Sequence, residues 1–326
     1  MKLFEARLQE LGYGSAKCYV GMRYWYPFTE QALDEIKQDG VNALVILPLY
    51  PQFSISTSGS SLRVLQETFA AEPAVWGADR LSHTVVPAWY NRPGYVKQVA
   101  KLVNAQLATY SAEETADGGL HVLFSAHGVP DSYIAAGDPY QRQMVECVDL
   151  IGAQLLGGTQ VHLSYQSRVG PVEWLKPYTD VTLRELGASG VKNLVVVPIS
   201  FVSEHIETLE EIDMEYRDLA EASGVTRWRR TPALNTDPAF IDELASMVTD
   251  ALGEPTLSVS AACIQNNCEV ELEAVDRRFT TAGINEGAET LNGRIAMVGF
   301  LTTFAVQVLS AKGASWLAAL GAVWAA

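Results

Sequence analysis

The sequence predicts an α/β fold in which two similar halves, each with a parallel sheet, enclose a cleft. The chain has 326 residues, 48% of them hydrophobic and 19% charged, so it can bury a sizeable core. Solidly apolar runs alternate with helix-like segments, which is typical of parallel sheets covered on both faces. Two of the runs, NALVILPLYP and KNLVVVPISF, are alike, since each follows a helix ending in Asp-Gly or Ser-Gly and reaches a proline.

The elements are predicted in chain order from these patterns. The opening MKLFEARLQELGYG is interpreted as the end of an amphipathic helix that stops at Gly12 or Gly14. Periodicity weakens after Leu252, so residues 1–252 are predicted to form the body and residues 253–285 a linker. The predicted strands lie at 16–21, 42–47, 84–87, 121–124, 161–165 and 193–199.

Residues 286–326 are predicted to hold one C-terminal hydrophobic helix that crosses a membrane. The stretch 295–309 carries no charge, although it is borderline for a bilayer, because a spanning helix needs about 20 predominantly apolar residues. Extending it backwards brings in Asn292 and Arg294, and polar groups are costly enough in a membrane to indicate a partner or a ligand. The alternative is a buried or interfacial amphipathic helix.

Charge and cysteine content narrow the class of protein. A formal net charge of -15 and a pI near 4.8 argue against nonspecific binding to nucleic acid or anionic lipid, which requires surplus Lys and Arg. The four cysteines, Cys18, Cys147, Cys263 and Cys268, are too few and scattered for a disulfide framework, so a reducing compartment is expected. A lone C-x4-C pair is only weak evidence for metal binding, and the thiols are expected to be structural or incidental.

His127 lies in the segment FSAHGVP, directly after an apolar run. In open α/β sheets, ligands bind beyond the carboxyl ends of the strands, so its imidazole is expected in the cleft. A histidine there suits base or metal chemistry because its ordinary pKa near 6.5 allows either protonation state. Position alone leaves the alternative of a hydrogen-bonded loop histidine.

The segment SEHIETLEEIDMEY carries an acidic stripe. At roughly 100° per residue, Glu204, Glu207, Glu211 and Glu215 fall on one side of a helix. Like charges at this spacing repel, and no basic residue interrupts them before Arg217. The stripe is interpreted either as a solvated face or as a path for a cation such as a divalent metal. Crowded carboxylates are also expected to have raised proton affinity, so that one of them could accept protons near neutral pH.

Aromatic residues flank both predicted halves. The segment MRYWYPF places Arg23 among four aromatic rings, LYPQFSISTSGSS adds hydroxyls and Tyr50, and Trp174 follows later. Together these residues suit a large flat ligand that bears carboxylates, with rings against its plane and Arg23 at its anionic edge. Packing of these rings in an ordinary core is the alternative.

The motifs in their joint order closely resemble the ferrochelatase family. The segments FSAHGVPDSYIAAGDPY, SYQSRVGPVEWLKPYTD and VVPISFVSEHIETLEEIDMEY carry the resemblance, with RYWYPFTEQAL and YPQFSISTSGSSL before them. The similarity covers most of residues 21–217 and extends to about residue 252. It implies two Rossmann-like, chelatase-like halves around a porphyrin cleft, and insertion of Fe2+ into protoporphyrin IX to form protoheme with release of two protons.

The resemblance also assigns residues. His127 and Glu207 match the family's SAHG histidine and HIET glutamate, which take part in metal delivery and pyrrole deprotonation and face each other across the cleft. His127 is expected to accept the pyrrole protons, with Glu207, Glu211 and Glu215 conducting iron in or protons out, although the two roles could be exchanged. The residues implied to line the porphyrin pocket are Arg23, Tyr24, Tyr50 and Trp174.

Two departures from the family pattern accompany this resemblance. The family's first strand and loop are not found after Met1, so the chain is interpreted as N-terminally truncated. A noncatalytic tetrapyrrole-binding or scaffold protein therefore stays open, as does a chelatase for another metal or tetrapyrrole. Animal-type members bind an iron-sulfur cluster through cysteines, whereas Ile55 stands in the loop here and Cys263 and Cys268 do not complete a four-ligand set. No cluster and no other prosthetic group are expected, because Fe2+ is a substrate.

The segment ETLNGRIAMVGF resembles a helix of the chlorophyll a/b-binding proteins. Ferrochelatases of cyanobacteria and of one plastid type carry such a tail, so a cyanobacterial or plastid thylakoid location is implied. The resemblance assigns Glu289 and Asn292 as possible chlorophyll ligands and Arg294 as the partner of a glutamate on another helix. One helix cannot satisfy both ends of that reciprocal pair, so a homodimer through the tail is expected.

Overall fold

The computed structural model describes residues 1–168, 170–253 and 257–266. Its strands are β1 (Ala43–Ile46), β2 (Ser82–Val85), β3 (Leu120–His127), β4 (Thr159–Gln166), β5 (Asn193–Pro198) and β6 (Arg227–Arg230). Its α-helices are α1 (Lys2–Glu10), α2 (Thr29–Gln38), α3 (Ser60–Ala71), α4 (Pro73–Trp76), α5 (Pro93–Leu107), α6 (Ala112–Ala116), α7 (Asp131–Ala135), α8 (Tyr140–Gly152), α9 (Thr179–Ala188), α10 (Arg217–Ser223), α11 (Pro238–Gly253) and α12 (Val259–Gln265). Two further segments are π-helical, π1 (Ile55–Gly59) and π2 (Glu207–Tyr216).

The strands form two separate parallel sheets. In the first half, β1 pairs with β2. In the second half, four strands lie in the order β4-β3-β5-β6, and every pair is parallel. Helices α8 and α9 connect neighbouring strands in the sequence, as parallel pairing requires. The predicted α/β class with parallel sheets is confirmed.

The central strands β3 and β5 owe their place to their apolar sequences. All six residues of β5 are buried. Side chains alternate across β3: Val122 and Phe124 belong to a core cluster that includes Met144 of α8, while Leu123 packs in a second cluster with Leu183 of α9. Because both faces are covered, these strands contain the near-continuous apolar runs that distinguish parallel sheets.

Five of the six predicted strand runs overlap β1 to β5. The run 16–21 does not become a strand, because it pairs with no strand of the described chain. Its polar groups are satisfied locally instead, since the Cys18 amide donates to Glu5 and the Tyr19 hydroxyl to Asp39. The predicted N-terminal helix is α1, which ends just before Gly12, and Gly12 has a φ of 96° that suits a helix terminus.

Strand β6 was missed because its sequence, RWRR, has no apolar alternation. It is an edge strand of the described sheet, in which it pairs with β5. Trp228 packs in the core, and the arginines form ion pairs, Arg227 with Asp117 and Arg230 with Glu204. Tertiary contacts therefore place a segment whose residue pattern predicts no strand.

Helix α12 lies inside the segment 253–285 that was predicted to be a linker. The Val259 amide donates to His83 Nε2 at 3.1 Å, and the Val85 amide of β2 donates to the Leu257 carbonyl at 2.9 Å. Val259 and Cys263 are buried in the core of the first half. The segment is too short to show a helical period in the sequence. The rest of the predicted linker and the predicted helix 286–326 lie outside the described residues.

One buried carboxylate joins the loop before α3 to the second half. Asp138 is 4% exposed. Its Oδ2 accepts hydrogen bonds from the Ser54 hydroxyl and the Ile55 amide, both at 2.8 Å, and its Oδ1 accepts from the Tyr140 amide at 2.9 Å. Burial raises the pKa of Asp138, although these three donors oppose the rise. The loop and α8 are therefore held by one side chain.

Replacing Asp138 with asparagine is expected to destabilise the fold. An amide offers one oxygen where the carboxylate offers two, so at least one buried donor from Ser54, Ile55 or Tyr140 loses its acceptor. The expected loss is about 1–3 kcal/mol in the free energy of unfolding, measured by urea denaturation. Asp149→Asn, an exposed change on α8, is the control and should stay within about 0.5 kcal/mol. Equal losses in both variants would contradict the assigned role.

Candidate active site

His127 is the last residue of β3, and three contacts fix it at the carboxyl edge of the sheet. It is in register with Gln166, the last residue of β4. Its amide donates to Ser200 Oγ at 2.9 Å, just beyond β5. Its carbonyl accepts from the Tyr140 hydroxyl at 2.8 Å, and that hydroxyl also contacts Ser200 at 2.9 Å. The imidazole therefore projects from a rigid backbone rather than from a free loop.

Glu207 begins π2 and contacts His127 directly. The distance from His127 Nδ1 to Glu207 Oε2 is 2.9 Å. The side chains are 40% and 31% exposed, so a ligand can reach both. The sequence predicted that these residues face each other across the cleft, and the structure brings them into hydrogen-bonding contact. His205, two residues before Glu207, also contacts it, because its Nδ1 accepts a hydrogen bond from the Glu207 amide at 3.1 Å.

Ser167 connects Glu207 to Glu211. Its Oγ lies 3.2 Å from Glu207 Oε2, and 3.1 and 2.8 Å from the two oxygens of Glu211. Glu211 Oε1 also accepts from the Tyr216 hydroxyl at 3.0 Å. Hydrogen bonds therefore run from His127 through Glu207, Ser167 and Glu211 to Tyr216.

The predicted four-membered acidic stripe is only partly formed. Glu204 turns away from the site, because its carboxylate accepts from Arg230 at 2.9 Å and from the Ala233 amide at 2.9 Å. Glu215 is exposed on π2. The prediction assumed α-helical geometry, whereas the i→i+5 bonds of a π-helix place more residues in each turn. Glu207 and Glu211 are the two members that Ser167 joins.

The electrostatics of Glu207 differ from the sequence-based expectation. Burial alone would raise the pKa of Glu207. Three neighbours outweigh this effect and bring the pKa below the ordinary 4.5: His127 by its hydrogen bond and charge, His205 by its charge, and Ser167 by its hydroxyl. The prediction that crowding raises proton affinity is therefore wrong for Glu207. Its neighbours include two imidazoles and a hydroxyl donor, and the prediction considered only other carboxylates. Burial also lowers the pKa of His205, against the raising effect of Glu207 and Glu204.

The aromatic residues of the first half are exposed. Tyr24 is 50% and Tyr50 45% exposed, and their exposed neighbours include Trp25 and Tyr26. The alternative of ordinary core packing is therefore wrong for these rings. Arg23 lies 5.4 Å from the Tyr24 ring centroid, and its Nε donates to Ser60 Oγ at 3.1 Å.

The first-half residues are linked to His127 through the polypeptide. Ser60 begins α3 directly after π1, and Ile55 at the start of π1 donates to Asp138. Asp138 accepts from Tyr140, whose hydroxyl bonds the His127 carbonyl. Arg23 and His127 are therefore connected by a path of hydrogen bonds and chain segments that joins the two halves.

Trp174 lies next to His127 through Gly128. The Trp174 backbone pairs with Pro130 in an isolated antiparallel bridge. A Cβ at Gly128 would lie 2.8 Å from the Gln166 carbonyl oxygen and 3.3 Å from Trp174 Cε3. Only glycine allows this approach. Trp174 is half-buried, and one edge of its ring approaches the Gly128 backbone.

Sequence reasoning did not assign Ser167, Gln166, Tyr140 or Ser200 to the site. Two of them stand in the segment SYQSRVGPVEW, which was recognised as following a strand, but a serine or glutamine there carries no chemical signal of its own. Within the described ranges, no three or more His, Cys, Asp or Glu side chains form a group arranged to hold a metal ion. The predicted chlorophyll-binding residues, Glu289, Asn292 and Arg294, lie outside those ranges.

The site combines a histidine-carboxylate pair at the carboxyl edge of a parallel sheet with exposed aromatic rings in the first half. The fold is shared with a solved chelatase structure. The solved structure of the sirohydrochlorin chelatase SirB from Bacillus subtilis subspecies spizizenii in complex with cobalt is similar, with a TM-score of 0.50 and 12% identity, covering 78% of this chain and 89% of that one.

The sequence comparisons identify the family. The sequence model described as Ferrochelatase matches residues 1–252. The ferrochelatase of Gloeothece citriformis is 47% identical over 95% of this chain and 77% of its own length. That of Nostoc punctiforme is 50% identical over 95% of this chain and 78% of its own length. The chain belongs to the ferrochelatase family and is of the cyanobacterial type.

Family membership decides among the functions that the sequence left open. The chain is an enzyme, a metal chelatase of the lyase class that inserts Fe2+ into protoporphyrin to make heme. Fe2+ and protoporphyrin are accordingly its substrates. The predicted membrane, chlorophyll and dimer properties are separate questions. Among the described residues, no helix has the length and apolarity that crossing a bilayer demands.

The lowered pKa of Glu207 predicts how the pair contributes to stability as the pH changes. Because the folded pKa lies below 4.5, the unfolded chain takes up this proton first as the pH falls. The stabilisation is therefore fully present above the unfolded pKa and is lost as the pH falls through the folded pKa. The difference in unfolding free energy between the native chain and Glu207→Gln should shrink over that interval.

Urea denaturation at a series of pH values from neutral downward measures this difference. Glu67→Gln, an exposed change on α3, serves as the control and should show no comparable trend. A native-minus-variant difference that stays constant or grows as the pH falls below 4.5 would refute the assignment.

Proposed function

We propose that His127 accepts the pyrrole protons and that Glu207 and Glu211 handle the Fe2+ ion during insertion. The observation that carries the proposal is the 2.9 Å contact between His127 Nδ1 and Glu207 Oε2, in which both groups remain accessible. A division of labour is needed because a metal cation and departing protons compete for the same bases. Two neighbouring groups of different chemistry can meet both demands.

The contact with Glu207 suits His127 to act as a base. An ionised carboxylate can only accept, so Nδ1 carries the proton in this contact. The neutral imidazole then has its lone pair on Nε2, which is free to take a proton from a pyrrole nitrogen. The imidazolium formed is stabilised by the adjacent negative charge of Glu207. The lowered pKa of Glu207 supports this, because the carboxylate stays ionised throughout.

The carboxylates suit the metal because oxygen ligands favour hard divalent cations. Glu207 is nearest His127, Glu211 lies behind it through Ser167, and Glu215 is exposed further along π2. We place Glu215 at the outer end of this path. Two protons leave as one Fe2+ enters, so the net charge of the macrocycle and ion is balanced after insertion.

Arg23, Tyr24, Tyr50 and Trp174 are proposed to bind protoporphyrin. The exposed tyrosine rings and the half-buried Trp174 supply flat apolar surfaces, and the Arg23 guanidinium suits a propionate carboxylate. Remote contacts of this kind can stabilise a bent macrocycle whose nitrogen lone pairs point toward the metal. Partial burial raises the pKa of the half-exposed Tyr50, and neighbouring Tyr24 adds to the rise, so its phenol stays neutral.

We also propose that the enzyme works without an iron-sulfur cluster. Burial raises the pKa of the Cys147 thiol to about 12 and that of Cys18 to about 11. Clusters are held by thiolates, so both residues are poorly suited as ligands. Cys147 and Cys263 are buried in the cores of different halves.

For the C-terminal segment we propose a thylakoid-membrane helix that pairs with a second copy of the chain. The support is the sequence ETLNGRIAMVGF, in which Glu289 and Asn292 could bind chlorophyll and Arg294 could pair with Glu289 of the other copy. A reciprocal pair needs two helices, so pigment binding and dimer formation are linked in this proposal.

The proposed chemistry is tested with His127→Ala and Glu207→Gln. Each variant is expected to lose at least about 100-fold in the rate of metal insertion, in the range that general acid-base groups contribute. Fe2+ or Zn2+ insertion into protoporphyrin is followed by absorbance. His162→Ala removes a histidine in the middle of β4 and is expected to keep the native rate once its folding is checked. Activity that survives His127→Ala would sink the assignment.

The tail proposal is tested by deleting the chain from Ala288 onward. The shortened protein is expected to be a soluble monomer with measurable insertion activity, while the full chain fractionates with membranes as a dimer. Arg294→Ala in the full chain should weaken the dimer and leave it bound to membranes, because it removes the reciprocal pair but keeps the apolar helix. A shortened chain that remains a membrane-bound dimer would contradict the proposal.

A further inference from the structure

Ser167 has a backbone conformation that serine rarely adopts. Its φ is 61°, in the left-handed region, and within the described ranges the other non-glycine residue with positive φ is Asn235. Left-handed backbone is unfavourable for residues with a Cβ, and strain of this kind concentrates at functional sites. Ser167 follows directly after β4. A glycine at this position would relieve the strain, so the side chain itself requires an explanation.

The strained backbone aims the Ser167 hydroxyl at two carboxylates. Its Oγ is within 3.2 Å of Glu207 Oε2 and within 3.1 and 2.8 Å of Glu211 Oε1 and Oε2. A hydroxyl has a single proton to donate, so the three oxygens share one donor. Glu207 and Glu211 stand four residues apart, where two like charges repel. The hydroxyl lies between them and offsets that repulsion.

The buried side-chain amide of the preceding residue, Gln166, supports Ser167 from the central sheet. Gln166 is 2% exposed, and its Oε1 accepts from the Ser125 hydroxyl of β3 at 2.7 Å. Its Nε2 lies 3.4 Å from both Ser167 Oγ and Glu211 Oε2. The donors that face the carboxylates are therefore fixed to the central sheet, whereas the carboxylates project from π2.

We propose that Ser167 is a positioning residue that holds the Glu207 and Glu211 carboxylates toward one point, so that the entering metal ion meets oxygens from both. Without the hydroxyl, the two charges separate and the ion meets one carboxylate at a time. The effect acts on the metal and not on the macrocycle. This inference rests on the proposed function, in which these carboxylates handle the metal.

The Ser167→Gly variant distinguishes the role of the hydroxyl from the effect of the strained backbone. It removes Oγ and relieves the positive φ, so the variant is expected to stay close to the native chain in thermal unfolding, because the relief of strain offsets the lost hydrogen bonds. Its KM for Zn2+, used as the metal probe, is expected to rise about tenfold or more, which is the size of a lost hydrogen bond to a charged group. Its KM for protoporphyrin should not change. A purely structural role predicts the opposite, with unchanged kinetics.

Two companion variants sharpen this comparison. Ser167→Ala removes the hydroxyl and keeps a Cβ, so it should match the glycine variant in KM for Zn2+ and be less stable. Ser189→Gly removes an exposed serine hydroxyl at the end of α9 and should leave both KM values at their native levels. A native KM for Zn2+ in Ser167→Gly would overturn the inference.

A double-mutant cycle tests whether Ser167 acts through Glu211. Glu211→Gln alone is expected to raise the KM for Zn2+, and adding Ser167→Gly should change it little further, because both substitutions disable the same pair. Fully additive effects would overturn the inference. Glu207→Gln with native rate and KM would instead overturn the proposed function, so the two failures are distinguishable.

Discussion

The parallel pairing of β3 with β4 and β5 is the constraint on which the site depends. Parallel strands end at the same edge, so three segments distant in sequence deliver their next residues to one place. His127 ends β3, Ser167 follows β4, and Ser200 follows β5 by two residues. The hydrogen bond from the His127 amide to Ser200 closes this edge. An antiparallel neighbour would bring its amino end here and could not supply these residues.

The second requirement is a helix that places acids against a histidine. π2 keeps Glu207 on His127 and Glu211 on Ser167, and its flank is fixed by a separate ion pair, Arg230 with Glu204. In a chain with a net charge of -15, most acids remain in water. Glu207 differs because donors surround it, which keeps it ionised in spite of its burial. The ionised state of Glu207 therefore depends on its own neighbours and not on the net charge of the chain.

The sequence predicts those features that depend on residue type and fails where backbone geometry decides. The apolar runs of β1 to β5 and the place of His127 follow from composition and from the rule about strand ends. Strand β6 is not predicted, because the segment RWRR is placed in the sheet by its ion pairs and by the packing of Trp228 in the core. Glu204 leaves the predicted stripe because it pairs with Arg230. Glu215 leaves it because the helix is of the π type, which no residue pattern revealed. Ser167 could not be predicted either, because its proposed role follows from a left-handed backbone conformation that no residue pattern indicates.

Helix α12 affects the order in which the two halves can complete their cores. Its buried residues Val259 and Cys263 belong to the same core as Phe53 and Val85 of the first half. A ribosome releases the first half long before residues 257–266, so that core stays open while the whole second half emerges. The second half, whose sheet is complete by β6, can fold before the core of the first half is complete. Core residues such as Phe53 and Val85 are thus covered only after residues 257–266 emerge, and a stalled chain exposes an unfinished apolar face to chaperones or to other nascent chains.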